Sequence, residues 1–140
     1  MEDLDRRIVE LLTEDGRISY TDLGKALGMS TSAVHQRVRR LEQRGVVTGY
    51  TATIDHRALG RELTAFISVT PLDPAAPDDV PERLRDVREI EECHSVAGDE
   101  SYILKVRVGT PTDLEELIAA IRSSAHVSTR TTVVLSTPWE

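Results

Sequence analysis

The sequence of 140 residues contains one cysteine, one tryptophan and one phenylalanine. A single cysteine, Cys93, excludes a disulfide bond within the chain and is typical of a protein from a reducing compartment. No apolar run is long enough to span a membrane, and no basic segment followed by an apolar one suggests a secretory signal at the start. We therefore expect a cytoplasmic protein that does not bind a membrane. Hydrophobic residues make up 39% of the chain, which suffices for one domain or two small ones.

The sequence also lacks the patterns that mark metal sites and common catalytic sites. Its four histidines (His35, His56, His94 and His126) lie far apart, and none has a cysteine or an acidic residue at metal-ligand spacing. The aspartate-rich residues 73–79 do not follow the calcium-loop pattern, and there is no glycine-rich phosphate loop or nucleophile elbow. We predict no metal, no cofactor and no enzymatic activity.

Charge is distributed unevenly along the chain, whose formal net charge is -7. Residues 1–56 hold 8 basic and 9 acidic residues, whereas residues 57–140 hold 9 basic and 15 acidic residues. Residues 30–44 contain four arginines and only one acidic residue, Glu42. This local basic segment on an acidic background makes the first part of the chain the better candidate for a nucleic-acid surface.

The first 45 residues have the periodicity of three short amphipathic helices. Apolar residues of the first helix recur at helical spacing at Leu4, Ile8, Leu11 and Leu12. A second helix is predicted to begin after the N-cap Ser19, and Gly24 would allow it to approach its neighbour closely. Gly28 then closes a tight turn. The third helix is predicted to begin after Ser30 and to end at Gly45, with a buried stripe of Val34, Val38 and Leu41.

This pattern predicts a helix-turn-helix whose third helix contacts double-stranded DNA. Serine, threonine and the helix N-terminus can bind phosphate, glutamine can read adenine, and arginine can read guanine or neutralise phosphate. The alternative is a solvated basic helix in a bundle, which the turn between two capped helices makes less favourable. The candidate DNA-binding residues are Ser30, Thr31, Ser32, His35, Gln36, Arg37, Arg39, Arg40 and Arg44.

Residues 46–55 alternate between apolar and polar side chains, which predicts a short strand, or wing, that could touch the DNA backbone. The alternative is a plain connector to the next domain. We predict a winged helix-turn-helix domain over residues 1–54, a linker over residues 55–62 and a second domain over residues 63–140.

The second domain is predicted to have the element order βαββαβ. Strands are expected over residues 63–70, 92–98, 102–109 and 127–136, with helices over residues 80–90 and from Pro111 onward. Thr110, Pro111 and Asp113 form a strong helix start. This order predicts an α+β ferredoxin-like sandwich in which two helices cover one face of an antiparallel sheet. The other face, with Phe66 and Val134, would meet a second subunit in a homodimer.

Several motifs resemble the leucine-responsive/asparagine-regulator family, also called feast/famine regulators. The resemblance rests on residues 4–12 of the first helix, residues 32–42 of the third helix, residues 45–50 after it, and residues 95–98 and 102–106 of the second domain. It covers essentially the whole chain and is nearest to the actinobacterial regulators. The resemblance implies a cytoplasmic transcription regulator that dimerises through the sheet domain and often forms tetramers or octamers.

The resemblance also implies an amino-acid effector that binds near the hairpin between the second and third strands. By position, the effector-binding residues would be Gly98, Asp99, Glu100, Ser101, Thr129 and Thr131. The family often has an aspartate three residues after the glycine, where this chain has Ser101. Asp99 or Glu100 would then supply the negative charge for the ammonium group, unless the site is altered or lost. The alternative for this hairpin is a simple acidic turn.

From the sequence we therefore expect a sequence-specific DNA-binding transcription regulator whose assembly and DNA affinity respond to an amino acid. The alternative function is a small-molecule-sensing and oligomerisation module with weak or non-specific DNA binding.

Overall fold

The computed structural model describes residues 1–140 and divides into two compact units, Met1–Ile54 and Asp55–Glu140. Residues 55–62, predicted as a separate linker, group with the second unit. No helix has the length and apolar character needed to cross a membrane.

The first unit contains three helices: α1 (Asp3–Glu14), α2 (Tyr20–Leu27) and α3 (Thr31–Gln43). The predicted helix-turn-helix is therefore confirmed. Its core is a small cluster of fully buried side chains, to which α3 contributes the predicted stripe. The cluster consists of Ile8, Leu23, Val34, Val38 and Leu41.

The predicted caps of α2 and α3 are also confirmed. The Ser19 side chain accepts a hydrogen bond from the Asp22 amide at 3.0 Å, and the Ser30 side chain accepts one from the Ala33 amide at 3.2 Å. Gly28 ends α2 with a φ of 67°, in the left-handed region that favours glycine. These caps define where the third helix begins and so which of its side chains face outward.

Gly24 fixes how closely α2 approaches the turn that follows it. A Cβ atom at this position would lie 2.5 Å from the carbonyl oxygen of Met29, closer than such atoms approach one another. The turn between α2 and α3 therefore depends on the absence of a side chain at Gly24.

The predicted wing is wrong: residues 46–54 form no strand, and most of them are exposed. The amides of Val46 and Val47 instead donate to the carbonyl of Leu41 at 2.9 and 3.2 Å, which folds the chain back against the end of α3. Alternation alone does not make a strand, because a strand needs a partner with which to share backbone hydrogen bonds. The plain connector, the alternative considered above, describes this segment.

The second unit contains β1 (Leu63–Pro71), α4 (Val80–Leu84), β2 (Ile90–Ser95), β3 (Tyr102–Val108), α5 (Pro111–Ala125) and β4 (Val127–Val133). The strands form one antiparallel sheet in the order β2-β3-β1-β4. This is the predicted ferredoxin-like sandwich. The first helix of the unit is shorter than predicted, since residues 85–89 form turns rather than a continuation of α4.

The helices cover one face of this sheet. Alternate residues of the central strands, such as Ile67 and Leu104, are fully buried against α4 and α5. α5 begins with the predicted capping box, in which Thr110 and Asp113 exchange backbone-to-side-chain hydrogen bonds of 3.0 and 3.1 Å. Within the second unit no helix covers the opposite face, where Phe66 is 40% exposed.

Candidate DNA-binding face and effector site

The outward face of α3 is polar and exposed, and it contributes no side chain to the buried core of the first unit. Its side chains belong to Thr31, Ser32, His35, Gln36, Arg39 and Arg40, and Arg44 follows at the C-cap. Neither Arg39 nor Arg40 forms an ion pair or a side-chain hydrogen bond within the unit. A helix face of this kind leaves two guanidinium groups free for an external anion.

Arg37 differs from the other arginines of α3. Its Nη1 donates to Asp5 Oδ1 at 2.8 Å and to Glu2 Oε2 at 2.9 Å, and its side chain is 23% exposed. The hydrogen bond to Asp5, and next the one to Glu2, raises the pKa of Arg37, so the side chain stays charged. The guanidinium group thus ties α3 to α1, which sets Arg37 apart from the unpaired arginines, and its predicted contact with DNA stays a prediction.

α1 begins without a side-chain cap. Its N-cap is Glu2, which makes no capping hydrogen bond, and Asp3 lies within the helix. Asp5, in the first turn, is the buried carboxylate that accepts from Arg37. Nothing in the sequence of α1 itself indicated this partner, which lies 32 residues later.

Residues at the start of α3 have mixed roles. The hydroxyl of Ser30 is engaged in capping and lies 3.3 Å from that of Ser32, while Thr31 contacts Thr21 at 3.4 Å. The ring of His35 meets that of Tyr20 edge to face, with centroids 5.2 Å apart. Ser30 therefore supports the helix, whereas the exposed hydroxyls of its neighbours remain near the surface that a duplex would reach.

The hairpin between β2 and β3, residues 96–101, has free backbone donors. The amides of residues 97–100 form no hydrogen bond within the chain, whereas the Ser101 amide donates to the Val69 carbonyl at 3.0 Å. Successive unpaired amides in one loop are the kind of group that binds a carboxylate. Gly98 lies within this free stretch, and Ser101, the last residue of the hairpin, is held to β1 by its bond to Val69.

A small depression of about 160 Å³ lies beside the hairpin. Glu100 lies 3.7 Å from Arg130 and is only 17% exposed, so its charge is partly balanced. Asp99 forms no ion pair and is exposed, which leaves it as the free carboxylate of the hairpin. The depression is lined by Ser68, Thr70, Asp99, Glu100, Ser128, Thr129 and Arg130.

Thr129 and Thr131 were predicted to bind the effector, but the structure directs their side chains away from the depression. Both pair with inward residues of β1, Val69 and Ile67, so their side chains lie on the helix-covered face of the sheet. The Thr129 hydroxyl accepts a hydrogen bond from Arg122 of α5 at 2.8 Å, so this residue borders the depression without directing its hydroxyl there. Thr131 does not line the depression at all.

Sequence reasoning missed Arg130 and Ser128, the residues of β4 that do face the depression. Val127 is the first residue of β4 and is buried, so every even-numbered residue after it points to the opposite face. The apolar Val127 at the start of β4 was therefore the signal in the sequence that could have shown which residues of this strand face the depression.

Comparison with known proteins agrees with both parts of this description. Residues 1–42 match the AsnC-type helix-turn-helix domain, and residues 64–140 match the Lrp/AsnC ligand binding domain. The chain belongs to the Lrp/AsnC family. Members of this family are transcription regulators rather than enzymes, and this Lrp/AsnC protein has the DNA-binding and ligand-binding domains of such a regulator.

Individual relatives match over nearly the full length. The HTH-type transcriptional regulator LrpA of Mycobacterium tuberculosis is 51% identical over 137 residues, covering 98% of this chain and 91% of that protein. The leucine-responsive regulatory protein of Escherichia coli is 38% identical, covering 94% and 83%. The feast or famine regulatory protein of M. tuberculosis, solved in complex with L-methionine, is 50% identical with a TM-score of 0.97 and covers 99% and 95%. These matches support treating both units as parts of one regulator.

Proposed function

We propose that this Lrp/AsnC protein reads DNA sequence with the exposed face of α3. The observation that supports this most directly is that Arg39 and Arg40 are exposed and unpaired, while the opposite side of the same helix is fully buried. A helix anchored in this way can enter the major groove without rearranging its own domain. The proposed contacts come from Thr31, Ser32, His35, Gln36, Arg39, Arg40 and Arg44.

The effector in this proposal is an amino acid bound beside the hairpin. Free amides at residues 97–100 would bind its carboxylate, and Asp99 would meet its ammonium group. Arg130 offers a second partner for the carboxylate, although it now faces Glu100. The complex of a 50% identical protein with L-methionine supports an amino acid as the ligand class.

The proposal includes assembly through the open face of the sheet. Phe66 is 40% exposed there, and an apolar aromatic ring on an uncovered sheet face favours burial against a second copy. The depression of about 160 Å³ is smaller than typical ligand pockets, which are about 300–1,000 Å³, so further copies would be needed to enclose an effector. We therefore propose a cytoplasmic homodimer that associates further into tetramers or octamers.

Assembly would link the two sites. A dimer presents two recognition helices to half-sites about one helical turn apart, and larger assemblies engage several such sites. An effector that binds one assembly state more tightly than another shifts the equilibrium between them, and with it the affinity for DNA.

The experiment that tests this function measures binding to the DNA directly upstream of this protein's own gene. Gel shifts are compared with and without a mixture of the twenty amino acids, and with a scrambled duplex of equal length as the control. A specific shift that the mixture alters supports the regulator and its effector site together. A specific shift that the mixture leaves unchanged contradicts the effector site, and binding equal to that of the scrambled duplex contradicts self-regulation.

A further inference from the structure

The second unit contains a larger cavity, of about 480 Å³, far from the hairpin. It lies at the Val108 end of β3, whereas the hairpin precedes Tyr102 at the other end. Six residues of extended strand separate these ends by about 20 Å. The cavity is therefore distinct from the depression beside Asp99.

Four charged side chains that face this cavity have no partner in the protein. Arg61, Arg88, Glu89 and Glu116 line it, and none of them forms an ion pair or a side-chain hydrogen bond. The two other charged residues of its lining are already engaged. Arg107 bonds to Glu91 and Thr64, and Asp113 accepts from the Thr110 amide.

The charges leave the cavity with two free cations, two free carboxylates and no net charge among them. Phosphate or another polyanion would meet repulsion from Glu89 and Glu116, and a simple cation would meet repulsion from Arg61 and Arg88. A molecule with one carboxylate and one ammonium group can satisfy both kinds of side chain. The apolar part of the lining is the half-buried Val87 together with the small exposed edges of Val108 and Leu117.

We propose that this cavity is a second ligand site, which takes a small zwitterion with an apolar body. Its volume falls within the range of about 300–1,000 Å³ that is typical of ligand pockets. Arg61 and Arg88 would bind the carboxylate, Glu89 and Glu116 would bind the ammonium group, and the three apolar residues would contact the body of the ligand.

The site has a direct connection to the segment that follows the first unit. A Cβ atom on Gly109 would lie 2.7 Å from the carbonyl oxygen of Gly60, so the chain at Gly60 rests on the backbone of Gly109. That contact holds the next residue, Arg61, at the rim of the cavity. A ligand bound to Arg61 would restrain residues 55–62. Any effect on DNA affinity rests on the proposed function, whereas binding itself does not.

The test is a titration of the methyl-labelled full-length protein with L-leucine, monitored by NMR. Methyl groups of Val87, Val108 and Leu117 report on the cavity, and those of Val96 and Ala97 report on the hairpin. We expect the cavity methyls to shift saturably as L-leucine rises to about 10 mM, ten times a Kd of about 1 mM. Leucine without its amine (4-methylpentanoate) and leucine without its carboxylate (isoamylamine) should each bind at least about tenfold more weakly.

Matched variants locate the ligand. Arg88→Gln and Glu116→Gln should each weaken the cavity response by about tenfold, the effect of losing about 1.4 kcal/mol. Arg85→Gln and Glu115→Gln change neighbouring exposed charges outside the cavity and should leave it unchanged. The proposal is overturned if the cavity methyls do not shift, if both cavity variants bind like the wild type, or if either half-ligand binds as tightly as leucine.

The same spectra separate this site from the effector site. Shifts at Val96 and Ala97 without shifts in the cavity would leave the proposed effector site intact and refute the second one. Shifts confined to the cavity would support the second site and refute leucine binding at the hairpin.

Discussion

The candidate DNA-binding face and the proposed effector site differ in how many elements of the fold build each of them. The face lies on one helix, whose buried stripe of Val34, Val38 and Leu41 sets the direction of every exposed side chain. The effector depression combines a hairpin loop with two strands, and it encloses only about 160 Å³.

This difference indicates how each site should respond to perturbation. A face on one packed helix is complete whenever its domain is folded, so it depends on local packing and capping. The proposed effector site combines two strands and a loop with further copies of the proposed assembly, so it would depend on register and on association, which concentration and ligand can change. In such a regulator, sensing is therefore the more conditional of the two activities.

The largest effect is expected from Phe66→Glu, which should abolish the response to an effector while leaving the DNA-binding face intact. A charge on the open face would have to be buried twice in a twofold interface, so dimerisation should weaken by about a hundredfold or more. Analytical ultracentrifugation should show monomers. These monomers should no longer respond to an effector but should retain weak DNA binding. Leu72→Glu, at an exposed loop residue, is the control. Dimers of normal affinity in Phe66→Glu would contradict the proposed interface.

The next largest effect is expected at the DNA-binding face. Arg39→Ala and Arg40→Ala should each weaken specific binding by about tenfold, because an arginine contact to a base edge is worth about 1–3 kcal/mol. An arginine that contacts phosphate should instead lower the log–log salt slope by about one unit. Fluorescence anisotropy at several salt concentrations distinguishes these outcomes.

Arg37→Ala is the matched comparison on the same helix. Since Arg37 bonds to Asp5 and Glu2, its loss should lower the melting temperature and leave the salt slope of DNA binding unchanged. A reduced salt slope without a change in melting temperature would show that Arg37 contacts DNA after all.

A smaller effect is expected at the effector depression. Asp99→Asn should weaken amino-acid binding by about fivefold, because it replaces a charge-assisted hydrogen bond to the ammonium group with a neutral one that is about half as strong. Thr131→Val lies on the helix-covered face and should bind like the wild type. Isothermal titration calorimetry measures both, and equal losses in the two variants would restore the original assignment of Thr131.

The last effect concerns the contact between Tyr102 of β3 and Asp78 in the loop that precedes α4, and it appears only in alkali. The Tyr102 hydroxyl donates to Asp78 at 2.7 Å, and this bond, followed by burial, raises the pKa of Tyr102 to about 12. The stabilisation is complete below the ordinary tyrosine pKa of about 10 and is lost as pH rises through 12. Unfolding measured from pH 9 to 12 should show this loss in the wild type and not in Tyr102→Phe. If the stability of the wild type and that of Tyr102→Phe change in parallel with pH, the prediction is wrong.

Helical periodicity sufficed to predict α2, α3 and the exposed side chains of the latter, because a helix determines its own faces. It did not reveal the partner of Arg37, since Asp5 lies 32 residues earlier and only packing brings them together. The prediction of a wing was wrong for a related reason. A strand needs a neighbouring strand to pair with, and residues 46–55 alone do not reveal whether one is present.

The antiparallel sandwich of the second unit followed from its element order, and the cap of α5 followed from Thr110 and Asp113. The side of the sheet that Thr129 faces could not be predicted in this way, because a shift of one residue in the alternation moves every side chain of β4 to the other face. Arg130 was missed for that reason alone.

Only one arginine of α3 is paired within the protein, and this difference bears on how a gene for such a protein diverges after duplication. Arg37 is tied to another helix, so its replacement is costly whichever promoter the copy controls. Gln36, Arg39 and Arg40 have no such ties and can drift without loosening the domain. If these three side chains read DNA as proposed, new operator preferences can arise one residue at a time, in a protein that stays folded throughout.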